Sequence, residues 1–338
     1  MAKGLGTATT AQPLLQMAAD FYRWRTVLFA IELDLFTVLG AAPATENEVR
    51  ERFGLDERGT GHFLDALVAV DLLTREGDRY TTTALSAEFM DSGKASYLGR
   101  FLNLADDRWA RVGDGLRTGE PQNGTRNVSS MFTEQHRDLA AWRAYYGGMD
   151  ALNGPSGVAL AHAFDWSSVK RVTDIGGARG NLSANLVKEH PHLQATVFDL
   201  PPVREVFTEH ITELGLTDQV KFRGGDFFND PLPESDVVVF GHVLHDWGVP
   251  ERKVLARKAF EAVAPGGYAL VYDTMINGDR PDNANPLVVS INMMLCTPGG
   301  SEYTPEEGAR WFTDAGFATV TWTPLINDDT LLIARRAD

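Results

Sequence analysis

The chain has a single cysteine, Cys296, which excludes an intrachain disulfide and fits a reducing, cytoplasmic compartment. It also lacks any excess of positive charge: 31 basic and 46 acidic residues leave a formal net charge of −15. Non-specific nucleic-acid binding needs a basic surface that displaces counterions, and anionic membrane surfaces select for the same charge, so neither partner is expected. No uninterrupted apolar stretch approaches the ~20 residues of a membrane span. Residues 1–20 show neither the basic start nor the apolar run of a signal peptide. Internal repeats and low-complexity tracts are absent. So are the dinucleotide fingerprint G-x-G-x-x-G and the Gly-Lys-Ser/Thr of a phosphate loop, which argues against a ligand held by its phosphates.

What is present falls into two halves, and 338 residues fit two domains at roughly 100–200 residues each. Over residues 1–103 the pattern is mostly helical. An apolar period runs from Leu14 through Phe21, Leu28 and Leu35 to Leu39, and Gly40 with Pro43 should stop it. Thr45 and Glu48 form a capping-box pattern that opens a short helix ended by Phe53-Gly54. Gly59 to Leu72 reads as an amphipathic helix with Phe63, Leu67 and Val70 on one side. Two short β-prone runs around Glu76-Gly77-Asp78 read as a hairpin, completing a winged-helix pattern. A DNA-reading helix should carry Lys and Arg, yet the helix before the hairpin carries Asp65 and Asp71 and no basic residue beyond Arg58. Dimerisation is the better reading of this half.

Residues 104–338 form the larger half, with linking helices expected over 104–165. Leu139, Trp142, Tyr145, Tyr146 and Met149 keep helical spacing, as either core packing or a pocket wall, and the Gly/Asn/Thr/Pro-rich segment Gly113–Ser130 reads as an exposed loop. From residue 168 strands and helices alternate. Apolar strands such as Asp236–His242 between helices imply an α/β fold with a Rossmann-like parallel sheet covered on both faces. Two final strands joined by Asn327-Asp328-Asp329 should close one edge as an antiparallel pair.

Ligands of such sheets bind at the carboxyl ends of the strands. The first strand ends in Gly176-Gly177-Ala178-Arg179-Gly180, and the next ends in Phe198-Asp199-Leu200. Asp199 follows Gly176 by 23 residues, the interval of an acid that grips a ribose diol. A glycine turn and a ribose acid without a phosphate cradle suit an adenosine ligand such as S-adenosyl-L-methionine, although a tight turn and a helix cap would leave the same trace. Gly224-Gly225-Asp226-Phe227 adds an acid for the adenine amino group and a ring to stack on it, or simply a capped turn. The fourth strand runs into His242-Val243-Leu244-His245-Asp246-Trp247. Two histidines three residues apart on a strand point to opposite faces, which argues against a metal site, and no metal is expected. A histidine at a strand end beside a cofactor is well placed as a general base. Asp273 follows the fifth strand, and Glu302 precedes a helix whose own cap pattern is Thr304 and Glu307.

These motifs, with Ala264-Pro265-Gly266-Gly267 and Pro298-Gly299-Gly300-Ser301-Glu302, resemble the small-molecule O-methyltransferases that include plant caffeic acid O-methyltransferase and bacterial antibiotic-tailoring enzymes. The resemblance spans nearly the whole chain. It implies a class I methyltransferase sheet over 104–338, a winged-helix dimerisation domain over 1–103, a homodimer, and S-adenosyl-L-methionine as cofactor. It implies His245 as catalytic base flanked by Asp273 and Glu302. The cofactor contacts it implies are Gly176, Gly177, Asp199 and Leu200 on one side and Gly225, Asp226, Phe227 and His242 on the other. The acceptor pocket takes Tyr145, Tyr146, Met149, Asn153 and Asp246, together with Asn292, Met293 and Thr297. Three departures stand out. Ala178 and Arg179 replace the usual Gly-Thr, Asp273 is one methylene shorter than the Glu of plant members, and Gly241 replaces a plant lysine. The expected reaction is methylation of a phenolic hydroxyl on a small aromatic, tyrosine-like if Asn153 and Asn292 grip an amine or carboxylate. C-methylation of a phenolic ring and cofactor binding without turnover are the alternatives.

Overall fold

Asp34 breaks what the apolar period ran together. The computed structural model describes residues 10–94, 96–123, 139–276 and 284–338. In it one helix spans Gln12–Glu32 and a second Leu35–Ala41, with Asp34 between them in the left-handed region at φ 54°. Its carboxylate accepts a 2.6 Å hydrogen bond from the Thr37 hydroxyl, so the break falls at a left-handed residue that is neither Gly nor Pro. The chain divides into two compact units, Met1–Asp107 and Arg108–Asp338, each described by itself.

The first unit follows its local signals. Thr45 and Glu48 make the reciprocal capping box of helix Glu46–Phe53, and Gly54 ends it in the left-handed region. Helix Glu57–Ala69 starts from Asp56 and buries Leu64 and Leu67, while Phe63 and Val70 are only half-buried. Strands β2 (Leu73–Glu76) and β3 (Arg79–Thr82) form the expected hairpin, and the short β1 (Ala44–Thr45) pairs with β3. Leu28, Leu35, Phe36, Leu39 and Tyr80 fill the core. The N-terminal half of the first helix keeps Leu14, Leu15, Met17, Phe21 and Tyr22 exposed.

In the second unit β4 (Arg171–Ile175), β5 (Gln194–Asp199), β6 (Val220–Gly224), β7 (Ser235–Gly241), β8 (Val263–Thr274), β9 (Thr319–Pro324) and β10 (Asp329–Arg335) form one sheet in the order β6-β5-β4-β7-β8-β10-β9. The first five are parallel, and β10 and β9 are antiparallel additions. In β7, side-chain alternation sends Val237 and Val239 to one face and Val238 and Phe240 to the other. The first face packs on helices Leu139–Ala163, Asn181–Glu189 and Arg204–Glu213. The second packs on Val249–Ala262 and Pro305–Ala315. Strand order reverses between β4 and β7, which opens a crevice at their carboxyl ends.

Two local readings are corrected. Helix Val112–Thr118 occupies the start of the segment read as a loop, although only Leu116 and Arg117 in it favour helix; Gly115 is buried where a Cβ would run into the Leu295 side chain, so packing overrides propensity, and residues 124–130 of that segment lie outside the described residues. Helix Ala284–Cys296, apolar on most sides, had no counterpart in the sequence reading. Among the described residues no helix is long and apolar enough to cross a membrane.

Candidate active site

Three strand ends are laced together at the crevice. Gly176 N donates to Phe198 O at 2.9 Å, Gly225 N to Asp199 O at 2.9 Å, and Ala178 N to Asp199 Oδ2 at 2.8 Å. Gly176 stands at φ 67°, where a side chain would be strained and its Cβ would meet Val243 at 3.1 Å, so glycine keeps this floor open. Gly177 O accepts from Gly180 N at 2.8 Å and closes the turn. Asp199 Oδ1 takes the Leu200 N–H at 2.7 Å. Burial lifts the Asp199 carboxyl to about 6, against the pull of its two backbone donors. Asp226 caps its own turn through Phe228 N (2.9 Å) and Asn229 Nδ2 (2.7 Å), and Phe227 stands edge-on to Trp247 at 5.6 Å. Arg179, the cation of the glycine turn, is paired with Asp150 on helix Leu139–Ala163. Burial raises Asp150 to about 6 although Arg179 opposes it. The turn therefore offers no free cation to a phosphate.

His245 lies in a short 3-10 turn, Leu244–Asp246, after β7. Its Nδ1 is 2.8 Å from Glu302 Oε1 and 3.8 Å from Asp273 Oδ1. Asp273, near the end of β8, accepts the Tyr303 hydroxyl at 2.6 Å through Oδ2. Both acids are buried, and Glu302 Oε2 and Asp273 Oδ1 have no hydrogen-bond partner. Burial pulls the imidazolium down, but Glu302 and Asp273 outweigh it and hold His245 up at about 10. Asp273 is pushed up to about 6 by burial, with His245 opposing. Since Nδ1–H points to Glu302, Nε2 is the nitrogen that can accept a proton.

Arg252 went unnoticed in the sequence. It is 1% exposed, and its Nε donates to Leu244 O (2.9 Å) and Trp247 O (2.7 Å) while Nη2 reaches Ser301 O (2.6 Å). With Ser301 N bonded to His245 O at 2.9 Å, this clamps the loop of Glu302 onto the turn of His245. An arginine on the buried side of an otherwise amphipathic helix was the available signal.

His242 and His245 do not face apart. The strand ends at Gly241, His242 takes φ 52°, and the two rings lie 5.6 Å apart. The alternation rule fails because neither residue is on the strand. Ligand atoms of His242, His245 and Asp273 lie within 4.8 Å of one another, but His242 Nε2 is already on Asp329 Oδ2 at 3.1 Å. A Cβ at Gly241 would run into the Tyr272 ring at 2.2 Å, which explains why no lysine stands there.

Tyr145 and Tyr146 stand edge to face with ring centroids 5.3 Å apart. Burial raises both phenols, and the acid next in influence is Asp246 for Tyr145 and Asp199 for Tyr146. Both pack in one cluster with Val203 and Val206 beside Ala178 and Leu200. Asp246 is raised by burial, with His245 opposing. Thr297 is buried and returns its hydroxyl to Met293 O at 3.1 Å, capping the helix. Asn292 accepts the Trp109 indole N–H at 3.2 Å. Met149, Asn153 and Met293 are half-buried.

A family pattern described as an O-methyltransferase domain matches residues 109–318, and one described as an O-methyltransferase dimerisation domain matches 15–92. The chain is 46% identical over 328 residues to the tetracenomycin polyketide synthesis 8-O-methyl transferase TcmO of Streptomyces glaucescens, covering 96% of each. It is 36% identical to the N,N-dimethyltransferase OxyT of Streptomyces rimosus, over 93% of this chain and 92% of that one. The crystal structure of human N-acetylserotonin methyltransferase in complex with SAM superposes with a TM-score of 0.84 at 26% identity, over 99% of this chain and 100% of that one. Fold and comparisons together define an enzyme, a methyltransferase of class I architecture. The chain belongs to the S-adenosylmethionine-dependent O-methyltransferase family.

Proposed function

We propose that the protein methylates a phenolic hydroxyl of an aromatic, polyketide-type metabolite in antibiotic biosynthesis, with His245 as base. The observation that carries this reading is the buried His245–Glu302 contact of 2.8 Å beside the three laced strand ends. The cofactor fits the residues present. Gly176 leaves room for close approach, Asp199 offers carboxylate lone pairs to a ribose diol, Asp226 and Phe227 border the adenine end, and Arg179 is neutralised by Asp150. Bound S-adenosylmethionine supplies a methyl group on a sulfonium centre.

The residues of the chain supply proton transfer and position. A free phenol titrates near ~10 and free imidazole near ~6.5, a mismatch of roughly 5 kcal/mol. With His245 held at about 10, that mismatch closes, and the neutral imidazole, the minor form at pH 7, can take the hydroxyl proton at Nε2 as the oxygen attacks. Glu302 and Asp273 stabilise the imidazolium that forms. Tyr145 and Asp246 border the acceptor side next to His245. The exposed apolar face at Leu14, Leu15, Phe21 and Tyr22, inside the dimerisation region, supports a homodimer.

Transfer of labelled methyl from S-adenosylmethionine to a panel of phenols, with NMR of the product, tests the reading. A new O-methyl signal supports it. Methyl on a ring carbon would replace it by C-methylation, and methyl on nitrogen by the activity that the OxyT relative is named for.

A further inference from the structure

Arg108 is the cation of the second unit that the proposed chemistry leaves unused. It closes helix Gly99–Trp109, and the neighbouring Trp109–Asn292 hydrogen bond holds that turn against helix Ala284–Cys296. Its Nε is buried with no hydrogen-bond partner, and its guanidinium makes no ion pair among the described residues. The other arginines nearby are engaged: Arg111 with Gln122 O, Arg179 with Asp150, Arg252 with three carbonyls. The groups within electrostatic reach of Arg108 are the Tyr145 phenol and the Cys296 thiol. Burial keeps the thiol at about 11 and the phenol well above its usual range, so both are neutral at pH 7. Both also feel Asp246, the residue after His245.

A partly buried guanidinium in a chain of net charge −15, with neutral neighbours and a free donor, is a waiting anion site. We propose that Arg108 binds a carboxylate on the acceptor, at the edge away from the hydroxyl that is methylated. This rests on the reading of Tyr145 and Asn292 as acceptor-pocket wall. It narrows the substrate class to hydroxylated aromatic acids and sets the ring's orientation through two anchors of opposite kind, His245 at one end and Arg108 at the other.

The test measures equilibrium binding, with S-adenosylhomocysteine present, of 4-hydroxybenzoate, 6-hydroxy-2-naphthoate and a hydroxyanthraquinone carboxylate, each against its carboxamide. Methyl transfer is read on the same samples. At least one acid should bind wild type about 10-fold or more tightly than its amide, as a charge-assisted bond requires. R108Q should bring that ratio to about 1, R108K should keep part of it, and R117Q, on the exposed Arg117 nearby, should leave it unchanged. If no acid outbinds its amide, or the ratio survives in R108Q, the proposal is overturned. Acid preference without methyl transfer would sustain the anion site while sinking the phenol reading. Methyl transfer without acid preference would do the reverse.

Discussion

Glu302 holds the His245 imidazole by Nδ1 at 2.8 Å and so decides which nitrogen faces the reaction. Asp273 stands 3.8 Å from the same Nδ1 and adds charge without a second hydrogen bond. One acid therefore orients and the other tunes.

Replacing Glu302 by Gln should separate these effects in the pH profile. With His245 raised to about 10, wild-type kcat/KM should climb with pH above 7. E302Q removes the largest stabilising charge, so the climb should move to lower pH while the maximal rate falls by about 10² or more. An unshifted limb would mean that another group governs it.

Arg252 acts through position. R252M strips four hydrogen bonds from a buried cation's place and should cost about 2–4 kcal/mol of stability. The rate constant should fall more than KM rises, because the His245 turn and the Glu302 loop separate. Loss of stability with kcat intact would make Arg252 structural alone.

Asp174 sits buried beneath the glycine turn, accepts from Ser183 at 3.1 Å, and is raised to about 7 by burial. A carboxyl raised from an unfolded value near ~3.9 favours the folded state at low pH, and that stability is lost as pH rises through the folded value. Melting temperature should therefore decline between pH 4 and 8, and D174N should flatten the decline. Parallel curves for the two proteins would contradict this.

Phe21 is 57% exposed in the single chain, so its replacement by Glu spares the core. F21E should shift a dimer to monomer in sedimentation at equal helix content. A monomeric wild type would remove the dimer proposal.

Much of this was legible in advance where a local signal sufficed. The Thr45–Glu48 box and the Gly77 hairpin need only neighbours in the chain to form, and the β-strand ends at Gly176, Asp199 and Gly225 are marked by their own residue types although they bond across strands. The break at Asp34 was not, because it falls at a left-handed residue that is neither Gly nor Pro. Nor was the approach of His242 to His245, since strand alternation stops applying at Gly241. Arg252 and Arg108 were invisible for opposite reasons. One is held by carbonyls that include one 49 residues away, the other has an Nε with no hydrogen-bond partner among the described residues, and charge counting sees neither.

The most direct measurement is single-turnover methyl transfer to a phenol by wild type and H245A, with S-adenosylmethionine binding checked in both. With His245 as base, H245A should bind the cofactor normally and lose about 10²–10⁴ in rate. Wild-type rate in H245A, with cofactor bound, would contradict the assignment of the base.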